Sequence, residues 1–443
     1  VGTWLASSNY PQRRRETLMK EYTKFTESQL SKTDKSISKI KAFIKDESYS
    51  TFKHARGIYS RTDVFKTLFG PVCKLIENDL YKSEYFAKHI PVDEKPSVIK
   101  ERFGGVIGEK GKGIKQRIIG TDYTAFESHF TPEVMEHIEF QLYDYMTQHL
   151  PEGKDFMRLC RKVIAGRNRI AFRDLKLELL ACRMSGEMNT SLGNGFSNLM
   201  IFLYLTQDCI EVDCLIEGDD CLGKYIGEEL SIEDYARLRF TVKIDYYEHA
   251  NLASFCGQIF DNESSTVITD PTKIMLNCSW GNAKYVGASN KTHLRLLRSK
   301  ALSMIHQYPG CPIVQEFALY LLRVTHGLKR KIDNTESFYM QKALEKQSAT
   351  NLPTREVSFS SRELMEEVFS YSIDEQLCLE NYFRNKHSVG SLAHPVIYDH
   401  CTPNHFEYDN RYVVPLNDVY GFLSYDMVQS ILVLKELRKL IDV

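Results

Sequence analysis

The 443 residues suffice for two or three domains, or for one large multi-lobed enzyme, and a hydrophobic share of 43% provides for a core. No apolar run approaches the ~20 residues that span a bilayer, and eleven cysteines without paired spacing exclude a disulfide framework and suit a reducing compartment. The net charge of −1 is not that of a typical nucleic-acid binder, but it is uneven: residues 1–120 carry 24 Lys and Arg against 14 Asp and Glu, and the remainder carries 33 against 44. Such asymmetry is compatible with a basic phosphate path facing an acidic metal centre, although solvated helix faces give the same count. The chain starts with Val and shows no signal-peptide pattern, so the expectation is a piece of a longer product.

In chain order, residues 10–42 are polar and basic with helical stretches. Residues 62–89 predict a helix broken at Gly70-Pro71. FGGVIGEKGKGIKQ, 103–116, is glycine-rich and basic but lacks the phosphate-loop register, which predicts a loop or hairpin. RIIGTDYTAF, 117–126, predicts a buried strand with a polar end. Thr131-Pro132-Glu133 supplies a cap, a proline at the first helical position and an acid near the positive end, for a helix to about His149. Asn168 to Cys182 alternates as a strand or hairpin, and Ser185-Gly186 introduces a helix to about Thr206.

Ile210 to Tyr225 predicts two short strands around a Gly-Asp turn. Ser231 to Asp234 is a capping box, followed by strand-like TVKIDYY (241–247) and LASFCGQIF (252–260). After about Asn277 the pattern is mainly helical, including 428–441. His400, Cys401 and His405 match no common zinc spacing, so a structural role is expected. The fold class that follows is α+β.

Gly218-Asp219-Asp220 is the feature that most needs an explanation, because adjacent carboxylates repel each other. Alone it carries little weight: a chain this long contains the tripeptide by chance about one time in ten. Its weight comes from three other segments. Asp122 lies where the 117–121 strand runs out, so a strand laid beside the Gly-Asp hairpin brings Asp122, Asp219 and Asp220 together. Hard divalent cations take such oxygen ligands along with substrate phosphates. Thr190, Asn194 and Asn198 recur every four residues and form a polar helical stripe, suited either to core hydrogen bonding or to contact with a ribose or template backbone. Lys41, Lys45, Lys53, Arg56 and Arg61 interleave with apolar residues, as a set for triphosphate oxygens or as an amphipathic surface ribbon.

These segments, in this order, resemble the motifs of the RNA-dependent RNA polymerases of positive-strand RNA viruses, with a tombus-like or noda-like flavour. The 41–61 segment resembles motif F, and DYTAFE (122–127) resembles motif A with Glu127 at its last position. Ser185-Gly186 with Thr190, Asn194 and Asn198 resembles motif B, and Gly218-Asp219-Asp220 matches motif C. TVKIDYY and SFCGQIF resemble motifs D and E more loosely.

The resemblance implies a right-hand polymerase. Fingers would cover 1–116 with an insertion at 146–184, the palm (an antiparallel sheet flanked by helices) 117–145 and 185–276, and a mainly helical thumb 277–443. Asp122 and Asp219 would be the main ligands of two Mg²⁺ or Mn²⁺ ions, with Asp220 nearby. Lys45, Lys53 and Arg56 would contact the incoming triphosphate. Asn194 and Glu127 would read the ribose 2′-hydroxyl, supported by Ser185 and Thr190; Glu127 is one methylene longer than the commoner Asp. Lys243 is the candidate proton donor to pyrophosphate, with Lys224 and His249 as rivals. The implied partners are template RNA, the nascent strand, nucleoside triphosphates and other viral replication proteins. The implied location is the host-cell cytoplasm, in membrane-associated replication complexes.

Two other classes fit some of these features. A reverse transcriptase or other palm-type polymerase shares the paired-acid logic but places bulk against the sugar, and equal use of NTP and dNTP would favour it. An RNA-binding structural protein would lose nothing but a surface turn on Asp219→Ala.

Overall fold

The structure is a computed structural model and describes all residues except 29–38, 46–53, 92–93, 105–108, 111–113, 280, 282, 332–350, 391, 393, 403–404 and 406–443. Lys53, half of the 103–116 loop and the expected 428–441 helix therefore lie outside the described residues. The fold is mixed α/β with antiparallel sheets, and the chain divides into two compact units, one of 1–45 with 55–257 and a second that takes in 258–443.

The first unit is organised around strand β4. Its strands in chain order are β1 (Ile40–Ile44), β2 (Gly57–Arg61), β3 (Glu109–Lys110), β4 (Ile114–Tyr123), β5 (Arg167–Ala171), β6 (Lys176–Leu180), β7 (Ile210–Glu217), β8 (Asp220–Ile226) and β9 (Val242–Tyr247). β4 pairs antiparallel with β8 on one side and β9 on the other, β7 continues the sheet beyond β8, and β3 folds back on the start of β4. Ile118 and Ile119, neighbours on β4, are both fully buried. Successive strand residues point to opposite faces, so both faces of this strand are covered. A second sheet has the order β2-β1-β5-β6, in which the hairpin read from Asn168 to Cys182 lies against the 41–61 segment through a parallel β1–β5 pairing.

The helix Thr190–Leu205 packs Leu192, Leu199, Ile201 and Phe202 into the core that also holds Ile119, Tyr123 and Cys221. Thr131 caps the next helical stretch through the Val134 N–H, as its Thr-Pro-Glu start predicts, and that stretch continues to Thr147 through a wider turn at Met135–Glu139. Ser231 and Asp234 form the reciprocal capping box.

Two sequence readings need correction. The helix Asp63–Leu80 runs unbroken through Pro71. Proline there forfeits its own N–H bond, and burial of Phe65, Phe69, Cys73 and Ile76 along one face holds the helix regardless. The 252–260 stretch is not one strand: it begins as a short 3₁₀ turn, and Cys256 (φ 52°) and Gly257 (φ 71°) form a left-handed corner before β10 (Ile259–Asp261).

In the second unit β10 pairs with β11 (Thr266–Ile268), and the other described residues are mainly helical, with helices at Asn290–Gln307, Val314–Val324, Phe359–Phe369 and Ile373–Asn385. Asp261 is 3% exposed and ties the sheet to the Phe359–Phe369 helix, accepting hydrogen bonds from Ser360 and Ser361, both at 2.7 Å. Burial alone would raise its pKa; the serine hydroxyls, with that of Ser264, keep it low instead. His400 stacks on Tyr371, its ring centroid 3.5 Å away, and lies 3.6 Å from Glu375, a structural setting for that histidine.

Candidate active site

Strand register builds the site. Thr121 on β4 pairs with Cys221 on β8, so Asp122 emerges level with Asp220 at the head of β8. Glu217 pairs with Asp220 across the β7–β8 hairpin, leaving Gly218 and Asp219 as its two-residue turn. Gly218 has φ +66°, the left-handed conformation a tight turn of this kind requires and a side chain resists. On the other side of β4, Lys243 is the direct partner of Asp122, and residues paired in this way project from the same face. Asp122, Asp219, Asp220 and Lys243 thus meet at one end of one sheet.

The electrostatics are those of uncompensated acids. Asp219 sits exposed on the turn, yet the protein on its inner side desolvates its carboxyl and raises its pKa, with Glu127 and Asp122 adding like charge. Arg56 opposes that shift, so this one residue of the basic segment brings positive charge to the turn. Asp220, half-buried, has its pKa pushed up to about 6, first by desolvation and then by Asp219. The Cys256 thiol donates to Asp220 and partly offsets this. The Cys256 sulfur also lies 3.8 Å from Glu217, whose carboxylate is 3.0 Å from the Lys95 ammonium.

Among the described residues, no three His, Cys, Asp or Glu side chains converge into a preassembled metal cluster. The donor chemistry still fits hard divalent cations. Desolvation and neighbouring carboxylates raise the pKa of Asp219 and Asp220, and an oxygen-seeking cation relieves both the repulsion and the desolvation.

The polar stripe faces inward. Asn194 and Asn198 are 3% and 1% exposed. The Asn198 amide donates to the Gly218 carbonyl at 3.2 Å, so the helix holds the Gly-Asp-Asp turn directly. The side-chain oxygens of Asn194 and Asn198 are buried without a hydrogen-bond partner, an arrangement that costs free energy unless a ligand or water meets them. Thr190 donates to the Met184 and Glu187 carbonyls, and Ser185 to the Gly57 carbonyl at 3.1 Å. Gly186 N–H donates to the Tyr59 carbonyl, so the joint before the helix is pinned to β2.

The other sequence-derived candidates vary. Glu127 follows the left-handed Ala125 in a 3₁₀ turn, half-buried, and its backbone carbonyl accepts from Arg183 N–H at 3.0 Å. The Lys45 N–H continues the β1–β2 ladder to the Arg56 carbonyl. Arg61 does not face a triphosphate path; its guanidinium is buried against Glu187 and Asn168. Lys243 is exposed and paired with Asp245 at 2.7 Å, which raises its pKa and keeps the ammonium protonated. Lys224, its rival, is turned to the Arg102 carbonyl.

The sequence reading missed the charges beneath the site. Arg183 and Glu139 form a forked ion pair, both 0% exposed. Glu139 also accepts from Tyr143 and Asn189, and the guanidinium lies 4.0 Å over the Phe130 ring. Burial would lower the Arg183 pKa, but the Glu139 carboxylate outweighs it and keeps the guanidinium charged. The pair spans 44 residues of sequence and leaves no periodic signal; the only local hint is Gly193 beside Asn194.

The profile of the family described as "Viral RNA dependent RNA polymerase" matches residues 6–389. The chain is similar to the RNA-directed RNA polymerases of Turnip crinkle virus (26% identity, 79% of this chain and 46% of that protein) and Groundnut rosette virus (24%, 69% and 36%). A third, that of Maize chlorotic mottle virus, is 25% identical over 79% of this chain and 37% of its own length. The chain spans less than half the length of these curated relatives. A match over most of the chain, around strands that bring the paired acids together, means that this chain belongs to the viral RNA dependent RNA polymerase family.

Proposed function

We propose that this chain catalyses template-directed RNA synthesis from ribonucleoside triphosphates. The observation that carries the reading is the register of β4 between β8 and β9, which gathers Asp122, Asp219 and Asp220 with Lys243 opposite Asp122. The RNA 3′-hydroxyl, giving up its proton to solvent, attacks the α-phosphate, forming the new ester bond as the bond to pyrophosphate breaks. Asp122 and Asp219 hold Mg²⁺ or Mn²⁺, with Asp220 beside them; two such ions, when bound, offset charge on the attacking and leaving oxygens. Lys243 donates the proton that leaves with pyrophosphate. Arg56, whose charge already reaches Asp219, contacts the triphosphate together with Lys45 and Lys53.

Glu127 and Asn194 read the ribose 2′-hydroxyl, and the unpartnered Asn194 oxygen supports that role. Ser185 and Thr190 act behind them by bracing the joint before the helix. In this reading residues 1–116 and 146–184 are fingers, 117–145 and 185–276 palm, and 277–443 thumb. The work is mostly positioning and charge stabilisation, and base choice rests with template pairing.

Template RNA, the growing strand and nucleoside triphosphates are the partners this chemistry needs. Other viral replication proteins, and a place in membrane-associated complexes of the host cytoplasm, belong to the same proposal; among the described residues no helix is long and apolar enough to cross a membrane. Primer extension on a homopolymer template with Mg²⁺ or Mn²⁺ tests the reading. Wild type should extend the primer, and Asp122→Ala and Asp219→Ala should extend it on the order of 10²–10³-fold more slowly. Synthesis at the wild-type rate in both variants would overturn the site.

A further inference from the structure

The buried Arg183–Glu139 pair lies between two segments that the proposed function assigns to the sugar. On one side the Arg183 N–H holds the Glu127 carbonyl at 3.0 Å, the Cys182 N–H holds the Phe130 carbonyl at 2.9 Å, and the guanidinium covers the Phe130 ring. The turn that carries Glu127 is therefore fastened at both ends. On the other side Glu139 accepts from the side-chain amide of Asn189, the residue just before the helix Thr190–Leu205. The Asn189 backbone carbonyl in turn accepts from the Gly193 N–H at 2.7 Å.

Gly193 shows how close the fit is. A Cβ there would fall 2.5 Å from both the Arg183 Nη1 and the Glu139 Oε1. The ion pair is seated directly on the helix backbone, one residue before Asn194. A structural ion pair needs no such seat, and a well-packed apolar pair is often as stable. What the seat supplies is a fixed spacing between the Glu127 turn and the Asn194 turn of the helix.

We propose that the Arg183–Glu139 pair is the positioning element for sugar selection: it sets Glu127 and Asn194 at the separation that accepts a 2′-hydroxyl. This rests on the reading of those two residues as the ribose readers. Neither Arg183 nor Glu139 touches the nucleotide; each acts through the backbone that carries a reader. A site built around a hydroxyl rejects the analogue lacking it because its own polar groups go unpaired, and that rejection depends on their placement.

The test uses the full chain in primer extension, with a ribonucleotide and its 2′-deoxy counterpart offered separately. Gly193→Ala pushes the pair off its seat, and the double variant Arg183→Met with Glu139→Gln removes both charges together. The measured quantity is the ratio of kcat/KM for the two substrates, which does not depend on the folded fraction. We expect that ratio to fall about tenfold or more in both variants, mainly through a higher KM for the ribonucleotide. Where a variant extends too slowly, the ratio of the two binding constants on the primer–template complex serves instead.

A wild-type ratio in Gly193→Ala and in the double variant, with only kcat reduced, would overturn the inference while leaving the polymerase reading intact. If Asp122→Ala and Asp219→Ala both continued synthesis at the wild-type rate, the polymerase reading would fail first and take the sugar readers with it.

Discussion

Two groups of acids in the first unit meet the cost of desolvation in opposite ways. Glu139 and Glu187 are deeply buried, and each has a guanidinium of its own, Arg183 and Arg61. Asp122, Asp219 and Asp220 lie at the open end of the sheet without an ion pair of their own: Arg56 reaches Asp219 only at a distance, and Lys243, opposite Asp122, pairs with Asp245. The first group is internally neutralised and holds the frame. The second is left short of positive charge, and a ligand has to supply it. Crowded like charge at one place and buried ion pairs at another thus separate the proposed site from its support.

The largest expected effect breaks the paired side. Glu139→Ala strands a buried guanidinium and should cost about 3–5 kcal/mol, read as a lower denaturation midpoint. Asp122→Ala, on the unpaired side, should cost nothing measurable in the same experiment. Second, Asp219→Ala should reduce nucleotide incorporation on the order of 10²–10³-fold while leaving the denaturation midpoint at or above that of wild type.

Third, Asn198→Ala removes the amide that holds the Gly218 carbonyl. It should cost about 1 kcal/mol in stability and slow incorporation severalfold, because the Gly-Asp-Asp turn loosens. Unchanged incorporation would detach the turn from the helix.

The smallest effect has the opposite sign. Asp220→Asn should stabilise the protein at neutral pH by ~1 kcal/mol in the absence of divalent cations. In the folded chain the Asp220 pKa is raised to about 6 from 3.8, so its carboxyl favours folding below about pH 4 and that contribution is lost as pH rises through about 6. Thermal denaturation in chelator from pH 4 to pH 8 reads this directly. Wild type should lose stability relative to Asp220→Asn over that window, and added Mg²⁺ should close the gap.

Much of the open acid site was legible because its signals are local. A glycine with two acids between alternating apolar runs specifies a hairpin turn, and a strand that ends in Asp-Tyr-Thr-Ala points its last carboxylate outward. The capping signals at Thr131 and Ser231 were legible for the same reason: donor and acceptor lie three residues apart. The paired acids were not. Arg61 read as one more member of a basic ribbon, and Glu139 as an unremarked helical acid, because their partners lie 126 and 44 residues away. Pro71 misled through the reverse error: a strong local breaker lost to the tertiary burial of Phe65 and Phe69.

The placement of β4 has a consequence for how the protein is made. The edges of β4, the strand of Ile118 and Ile119, are paired only when β8 and β9 arrive, and Asp122 leaves the ribosome about a hundred residues before Asp219. At ordinary rates of synthesis that interval is roughly 5–20 s, during which an apolar strand waits with both edges open. The sheet that carries the acids is thus the late-closing part of its unit, and each nascent chain is most open to chaperones or to aggregation just before it acquires its proposed catalytic centre.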